Sequence, residues 1–321
     1  MIIAIIGKPG VGKSTIFNAI TGAHGLHGKR ERMGIVNVPD KRVDELHKFY
    51  PSAKKVYATI EFIDTDKMDF SVEDIRNADG YLCVIGAYTE NVDIKRNIQE
   101  IIDDMVIKDL EVVEKKLKKL KKIHNRESET EKKELEKVNK ELDNGIPIKK
   151  SKEIDMDKLK GYSFVSAKPI FFVVNVKEGK KYQSIESDYP VLFDPGKTEL
   201  EIAELPEEER SDFYKELGVG EPITGKIIRE IYNELGLISF FTMGHREVRA
   251  WSISKGTTAK QAAGLIHSDL ERGFIRAEVI SYEQLINVGS EKGAKERGLI
   301  RLESKDYIVN DGDVLLIRFS V

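Results

Sequence analysis

The chain has one cysteine, one tryptophan and no long apolar run among its 321 residues. With Cys83 alone, no disulfide can close within the chain, which excludes the disulfide-stapled secreted scaffolds and fits a reducing interior, so the cytoplasm is the expected compartment. Cys83 lies in the apolar stretch "YLCVIGAY" and is read as a packing residue. No run approaches the ~20 residues that a membrane helix needs. The opening "MIIAIIG" is too short for the apolar core of a secretory leader and lacks a basic flank and a cleavage site, so it is expected to be a buried strand. Basic charge is not in excess either: the formal net charge is -3, so any nucleic-acid contact must come from a local patch. The histidines, His245 and His267 among them, show no metal-ligand spacing, and no zinc site is expected. The 40% apolar content suffices for more than one compact unit.

The strongest motif follows the first apolar run. "GKPGVGKST", Gly7 to Thr15, matches G-x-x-x-x-G-K-[ST] between a strand and a helix. The glycines let successive backbone N–H groups converge on phosphate oxygens, Lys13 can reach the β- and γ-phosphates, and the Ser14 hydroxyl can ligate Mg²⁺. Gly7, Gly10, Val11, Gly12, Lys13, Ser14 and Thr15 are therefore the expected nucleotide-binding residues, and the following "STIFNAITG" is a helix ending at Gly22. The alternating "VYATIEFID" delivers Asp64 to a strand end, where the Mg²⁺-side carboxylate of such folds sits. A third buried strand, "KPIFFVVNVKEG", ends in Asn175-Val176-Lys177-Glu178. Guanine-specific proteins place N-K-x-D here, the Asp carboxylate accepting from two donors on guanine. Adenine shows one donor and one acceptor, which an amide such as Asn175 can satisfy, so Asn175 and Glu178 mark the base side and favour ATP over GTP.

Two further regions have readable patterns. Leu110, Val113, Leu117 and Leu120, then Leu135, Val138 and Leu142, repeat at steps of three and four about a polar break at Asn125 to Ser128, which predicts two helices paired antiparallel and returning at Gly145 and Pro147. The first arm carries "KKLKKLKK", Lys115 to Lys122, either a patch for RNA phosphates or a solvated face paired with the Glu-rich second arm. Toward the C-terminus "VRAWSI" alternates as a strand, Thr258 to Gln261 has capping-box spacing, and Asp311-Gly312 reads as a hairpin turn between "YIV" and "VLLIRF". A small sheet on a helix is expected there, with Trp251 and Tyr282 in its core.

The phosphate loop with "STIFNAITG", the "NVKE" base motif and above all "LISFFTMGHREVRAWSISKGTTAKQAAGLIHSDLERGFIRAEVISYEQL" and "SKDYIVNDGDVLLIRFSV" resemble the YchF or Obg-like ATPase family. The resemblance is dense from residue 235 on and patchier before it. It implies an α/β fold in which a P-loop nucleotide-binding sheet carries an inserted α-helical hairpin (coiled coil) and a C-terminal β-grasp TGS domain. The boundaries expected on that basis are 1–106 and 164–236 for the two parts of the nucleotide-binding domain, 107–163 for the hairpin and 237–321 for the TGS domain. It also implies a translation-factor-class ATPase that binds ATP, with GTP as the alternative, together with Mg²⁺ held by Ser14 and Asp64. The expected partner is the ribosome or RNA, through hairpin and TGS domain, for a monomeric chain away from any membrane.

Several positions depart from the family pattern. Gly10 stands where relatives usually carry an Asn associated with a bound potassium ion. The first switch of the family has a Thr, and Ala23 to Arg42 contains none. In the second switch, Lys67 occupies the Gly position of D-x-x-G and the Gly-rich loop is deleted, while "DPGKTELE" at Asp194 to Glu201 alters the third base-side loop. Phosphoryl transfer depends on positioning water and stabilising charge on the γ-phosphate, so slow or absent hydrolysis is expected. Lys29 or Arg30 could supply a cation in cis. The alternatives are an active ATP- or GTP-hydrolysing switch and an RNA-binding scaffold with a vestigial pocket.

Overall fold

The structure, a computed structural model, describes residues 1–22, 32–65, 68–88, 92–122, 126–159, 161–178, 184–216 and 222–320. The chain divides into two compact units, Met1–Val36 with Glu61–Ile227, and Asn37–Ile60 with Ile228–Val321. The first unit opens with β1 (Ile2–Ile6), α1 (Lys13–Thr21) and β2 (Arg32–Asn37). The chain then contributes α2 (Lys41–His47) and β3 (Lys54–Val56) to the second unit before continuing as β4 (Thr59–Asp64), α3 (Glu73–Asn77) and β5 (Gly80–Ala87). The hairpin α4 (Ile94–Leu120) and α5 (Arg126–Asp143) precedes β6 (Ile170–Val176), β7 (Val191–Asp194), α6 (Gly196–Ala203), α7 (Glu207–Glu216) and α8 (Ile223–Glu234).

Among the described residues the first unit's sheet runs β2-β4-β1-β5-β6-β7. β1 pairs in parallel with β4 and β5, β5 with β6, and β6 with β7. Strands packed on both faces have no polar side to alternate, which explains why every residue of β6, "IFFVVNV", is buried. Cys83 is fully buried in β5, and burial pushes its thiol well up. From β1 the order departs toward β4 on one side and β5 on the other, so the loop after β1 emerges at the point where open α/β sheets place ligands.

The hairpin forms as its periodicity predicts. Asp93 caps α4 by accepting from the Arg96 N–H at 2.9 Å. Val113, Leu120, Leu135, Val138 and Leu142 are buried in one cluster, with Leu110 and Leu117 packed against it. Lys116 pairs with Glu131 across the arms at 3.2 Å. Lys118 pairs with Glu114 within α4 at 3.7 Å, and it is exposed together with Lys115, Lys119, Lys121 and Lys122. Asp109, buried on α4, accepts from the Val165 N–H at 2.9 Å and the Ser166 N–H at 2.7 Å, anchoring the hairpin to the segment before β6.

The second unit continues with β8 (Leu237–Met243), β9 (Glu247–Ser254), α9 (Ala259–Ile266), α10 (Ser268–Arg272), β10 (Phe274–Ser281), α11 (Tyr282–Val288), α12 (Glu291–Glu296), β11 (Arg301–Glu303) and β12 (Asp313–Phe319). Its strands run β11-β10-β12-β8-β9-β3, with the parallel pair β12 and β8 at the centre of a β-grasp arrangement. Ala259, Ala262 and Ala263 bring α9 close to the sheet, and the capping box of Thr258 and Gln261 starts that helix.

Three details differ from the sequence reading. Residues 37–60 join the second unit, because β3 finds its hydrogen-bond partner in β9. "YIV" does not pair with "VLLIRF": Ile308 bridges to Thr258, and the Gly312 N–H donates to the Ser239 carbonyl at 2.8 Å, so the Asp311-Gly312 turn leads β12 in beside β8. Trp251 packs at the edge of the core and Tyr282 is only partly buried, and each satisfies a polar tip. The indole N–H donates to Thr242 Oγ1 at 3.0 Å and the Tyr282 hydroxyl to Glu45 at 2.5 Å. Among the described residues no helix is long and apolar enough to cross a membrane.

Candidate functional site

The phosphate loop runs from the end of β1 to Gly12, which lies in the left-handed region with φ 88° and leads α1 without any side-chain cap. A Cβ on Gly12 would be driven into the Asn175 amide and the Tyr88 hydroxyl, so glycine is required there by both torsion and space. The uncapped first-turn N–H groups and the helix dipole make this end attractive to anions. Lys13 is buried, and its ammonium donates to the carbonyls of Gly7 at 3.0 Å and Lys8 at 3.3 Å. Two of its three donors hold it to the loop, and the third can serve a phosphate oxygen.

Ser14 is exposed on the first turn of α1, and its hydroxyl donates to Asp64 Oδ2 at 2.9 Å. Asp64 is buried at the end of β4, register-paired with Ile5, so the sheet itself fixes the carboxylate beside the loop. Lys8, at the loop's crest, is ion-paired at 2.6 Å with Glu100 of α4.

Asn175 occupies the predicted place at the carboxyl end of β6, where its side chain bonds to three protein groups. Its amide nitrogen donates to the Val11 carbonyl at 3.2 Å and to the Tyr88 hydroxyl at 2.6 Å, and its oxygen accepts from the Gly196 N–H at 3.1 Å. Both amide hydrogens are therefore engaged by the protein, and one oxygen lone pair is left. It ties the base-side loop to the phosphate loop. Tyr88 completes the tie by donating its hydroxyl to the same Val11 carbonyl at 2.7 Å. Lys177 and Glu178, next in the motif, are exposed beyond the strand. Lys29, Arg30 and Lys67 lie outside the described residues.

Tyr88 escaped the sequence reading. Its signal was positional: it is the first residue past β5, the strand between β1 and β6, and so falls between phosphate loop and Asn175. Asp194 and Glu199 were noticed only as part of an altered loop. Both are buried. Burial, and next the neighbouring Glu199, push the Asp194 carboxyl up to about 8 against the opposing pull of Lys226. Burial also raises Glu199, opposed by the Tyr214 hydroxyl that donates to it at 2.8 Å.

A parallel sheet with this loop at its switch point, a lysine on the loop and a serine–aspartate pair beside it define a P-loop nucleotide-binding protein. The comparisons narrow the class. A family model described as "AAA domain" matches residues 2–215, and the YchF-GTPase_C model, described as "Protein of unknown function (DUF933)", matches residues 237–320. The "Ribosome-binding ATPase YchF" of Haemophilus ducreyi is 36% identical over 360 residues, covering 99% of this chain and 98% of that protein. "Obg-like ATPase 1" of Oryza sativa subsp. japonica is 32% identical over 367 residues, covering 99% of this chain and 92% of its own length. The solved "Structure of the Schizosaccharomyces pombe YchF GTPase" superposes with a TM-score of 0.86 at 29% identity, covering 99% of this chain and 97% of that one. The chain belongs to the YchF/Obg-like ATPase family.

Proposed function

We propose that this protein binds ATP with Mg²⁺ at the phosphate loop, associates with the ribosome in the cytoplasm, and turns the nucleotide over very slowly or not at all. The observation that carries the binding reading is the constellation of Lys13, Ser14 and Asp64, with the lysine held by two loop carbonyls and the hydroxyl 2.9 Å from the carboxylate. An exposed hydroxyl beside a carboxylate is a pair of hard oxygen donors suited to Mg²⁺, which keeps most of its waters and takes few protein ligands. When bound, the ion would neutralise charge on the phosphate oxygens. Lys13 would bind those oxygens, the first-turn N–H groups would orient them, and Asn175 with Tyr88 would keep the loop in shape.

The choice of ATP is supported by the names of the relatives. Slow turnover rests on the missing threonine between residues 23 and 42 and on Lys67 in place of a switch glycine. The alignment with the Haemophilus ducreyi relative extends over 360 positions against a chain of 321 residues, so that relative carries residues absent here. Ribosome association is supported by the relatives' names and by the exposed lysines near the end of α4.

Calorimetric titration with ATP and Mg²⁺, paired with single-turnover hydrolysis, tests the reading. Binding should weaken by roughly a hundredfold in Lys13→Ala, as removal of a charge-assisted hydrogen bond of about 2–3 kcal/mol implies. Absence of heat with any adenine or guanine nucleotide would reject a functional pocket. Brisk phosphate release abolished by Lys13→Ala would establish the hydrolysing switch instead.

A further inference from the structure

Asp194 is the last residue of β7 and the register partner of Asn175 on β6. Two residues later the Gly196 N–H donates to the Asn175 oxygen, and Asn175 holds the Val11 carbonyl of the phosphate loop. The Asp194 side chain is 1% exposed, and its Oδ1 has no hydrogen-bond partner among the described residues. The charged and titratable groups around it are Glu199 on α6, whose carboxylate raises the cost of a second negative charge, Lys226 on α8, which lowers it, and Tyr214 on α7, which donates to Glu199. Its register partner on β6 is the neutral Asn175.

Building on the nucleotide-binding reading, we propose that Asp194 is a positioning residue for the pocket: as an uncharged carboxyl it lets the Asp194–Gly196 turn close over β6, and its ionisation loosens that turn and weakens nucleotide binding. The physical reason is local. A carboxylate buried beside Glu199 with an unpartnered oxygen is costly, and the cheapest relief is to move the turn toward water. That movement withdraws the Gly196 N–H from Asn175, and with it the tie that shapes the phosphate loop around Val11. The raised titration of Asp194, at about 8, puts the loss within an accessible range.

The test is calorimetric titration of the full chain with ADP and Mg²⁺ from about pH 7 to about pH 9.5. Over this range the nucleotide phosphates are already ionised. The wild-type affinity should fall roughly tenfold as pH rises, as linkage to one proton implies. Asp194→Asn, isosteric and permanently neutral, should abolish the decline, whereas Glu199→Gln, which removes a neighbouring negative charge, should retain it with its midpoint moved to lower pH. Thermal melts give a second readout. A carboxyl held above its unfolded value contributes stability present at low pH and lost as pH rises through its folded value, so Asp194→Asn should gain more at about pH 9 than at about pH 6. A pH-independent wild-type affinity, or an undiminished decline in Asp194→Asn, would overturn the assignment of Asp194 while leaving nucleotide binding intact. No binding at about pH 7 would sink the underlying reading instead.

Discussion

Replacing Asn175 with alanine separates two roles that one side chain could play. If Asn175 ties the loops together, the substitution removes an acceptor from the buried Gly196 N–H, at 3.1 Å, and a donor from the Val11 carbonyl, at 3.2 Å. The Val11 carbonyl keeps the Tyr88 hydroxyl at 2.7 Å, so that loss is partly covered. An orphaned buried N–H costs about 1–3 kcal/mol, and the remaining exchanges add about 1 kcal/mol or less, giving a loss of about 2–3 kcal/mol in stability. Tyr88→Phe alone should cost about 1 kcal/mol, because Asn175 then serves Val11 unaided. The double variant strips the Val11 carbonyl of both donors and should exceed the sum of the single variants by about 1 kcal/mol, the sign of a shared partner. Urea unfolding followed by circular dichroism gives the stabilities, and MgADP calorimetry on the same samples gives the affinities, expected to fall about tenfold through loop distortion. An Asn175→Ala protein as stable as the wild type but binding a hundredfold more weakly would refute the tie and restore Asn175 as a direct reader of the base.

Two other substitutions probe the scaffold around the pocket. Gly12→Ala places a Cβ at φ 88°, costing about 1–2 kcal/mol, and displaces the Asn175–Tyr88 contact, so both the urea midpoint and the MgADP affinity should drop, the latter by more than tenfold. Asp109→Asn leaves one oxygen for two N–H groups and turns an amide donor toward the other, so stability should fall by about 2–4 kcal/mol with nucleotide affinity unchanged, which unfolding and calorimetry would register separately.

Much of both units was legible because these signals are local. The phosphate loop announces itself by spacing, the hairpin by the steps from Leu110 to Leu142, and α9 by the Thr258–Gln261 box. What escaped was non-local. Nothing near Asn175 in sequence reveals that Val11 and Tyr88 take up its amide hydrogens and Gly196 donates to its oxygen, since each arrives on a different strand end. The burial of Asp194 beside Glu199 of α6 and near Lys226 of α8 is a tertiary fact, which periodicity in "DPGKTELE" does not disclose. The apolar alternation around Ile308 looked like a hairpin arm because a turn and a strand followed it, yet the tertiary partner of Ile308 was Thr258.

The pairing of Lys54–Val56 with Glu247–Arg249 bears on how the protein is made. During synthesis α2 and β3 emerge before most of the nucleotide-binding sheet, with the apolar side chains of Val43 and Leu46 waiting for a sheet whose other strands have not been translated. The second unit therefore closes only when the nascent chain is nearly complete, and its assembly is slow in the manner of any fold that joins distant segments. A fragment starting at Leu237 would present β9 with a bare edge, the kind of surface on which chains stick to one another.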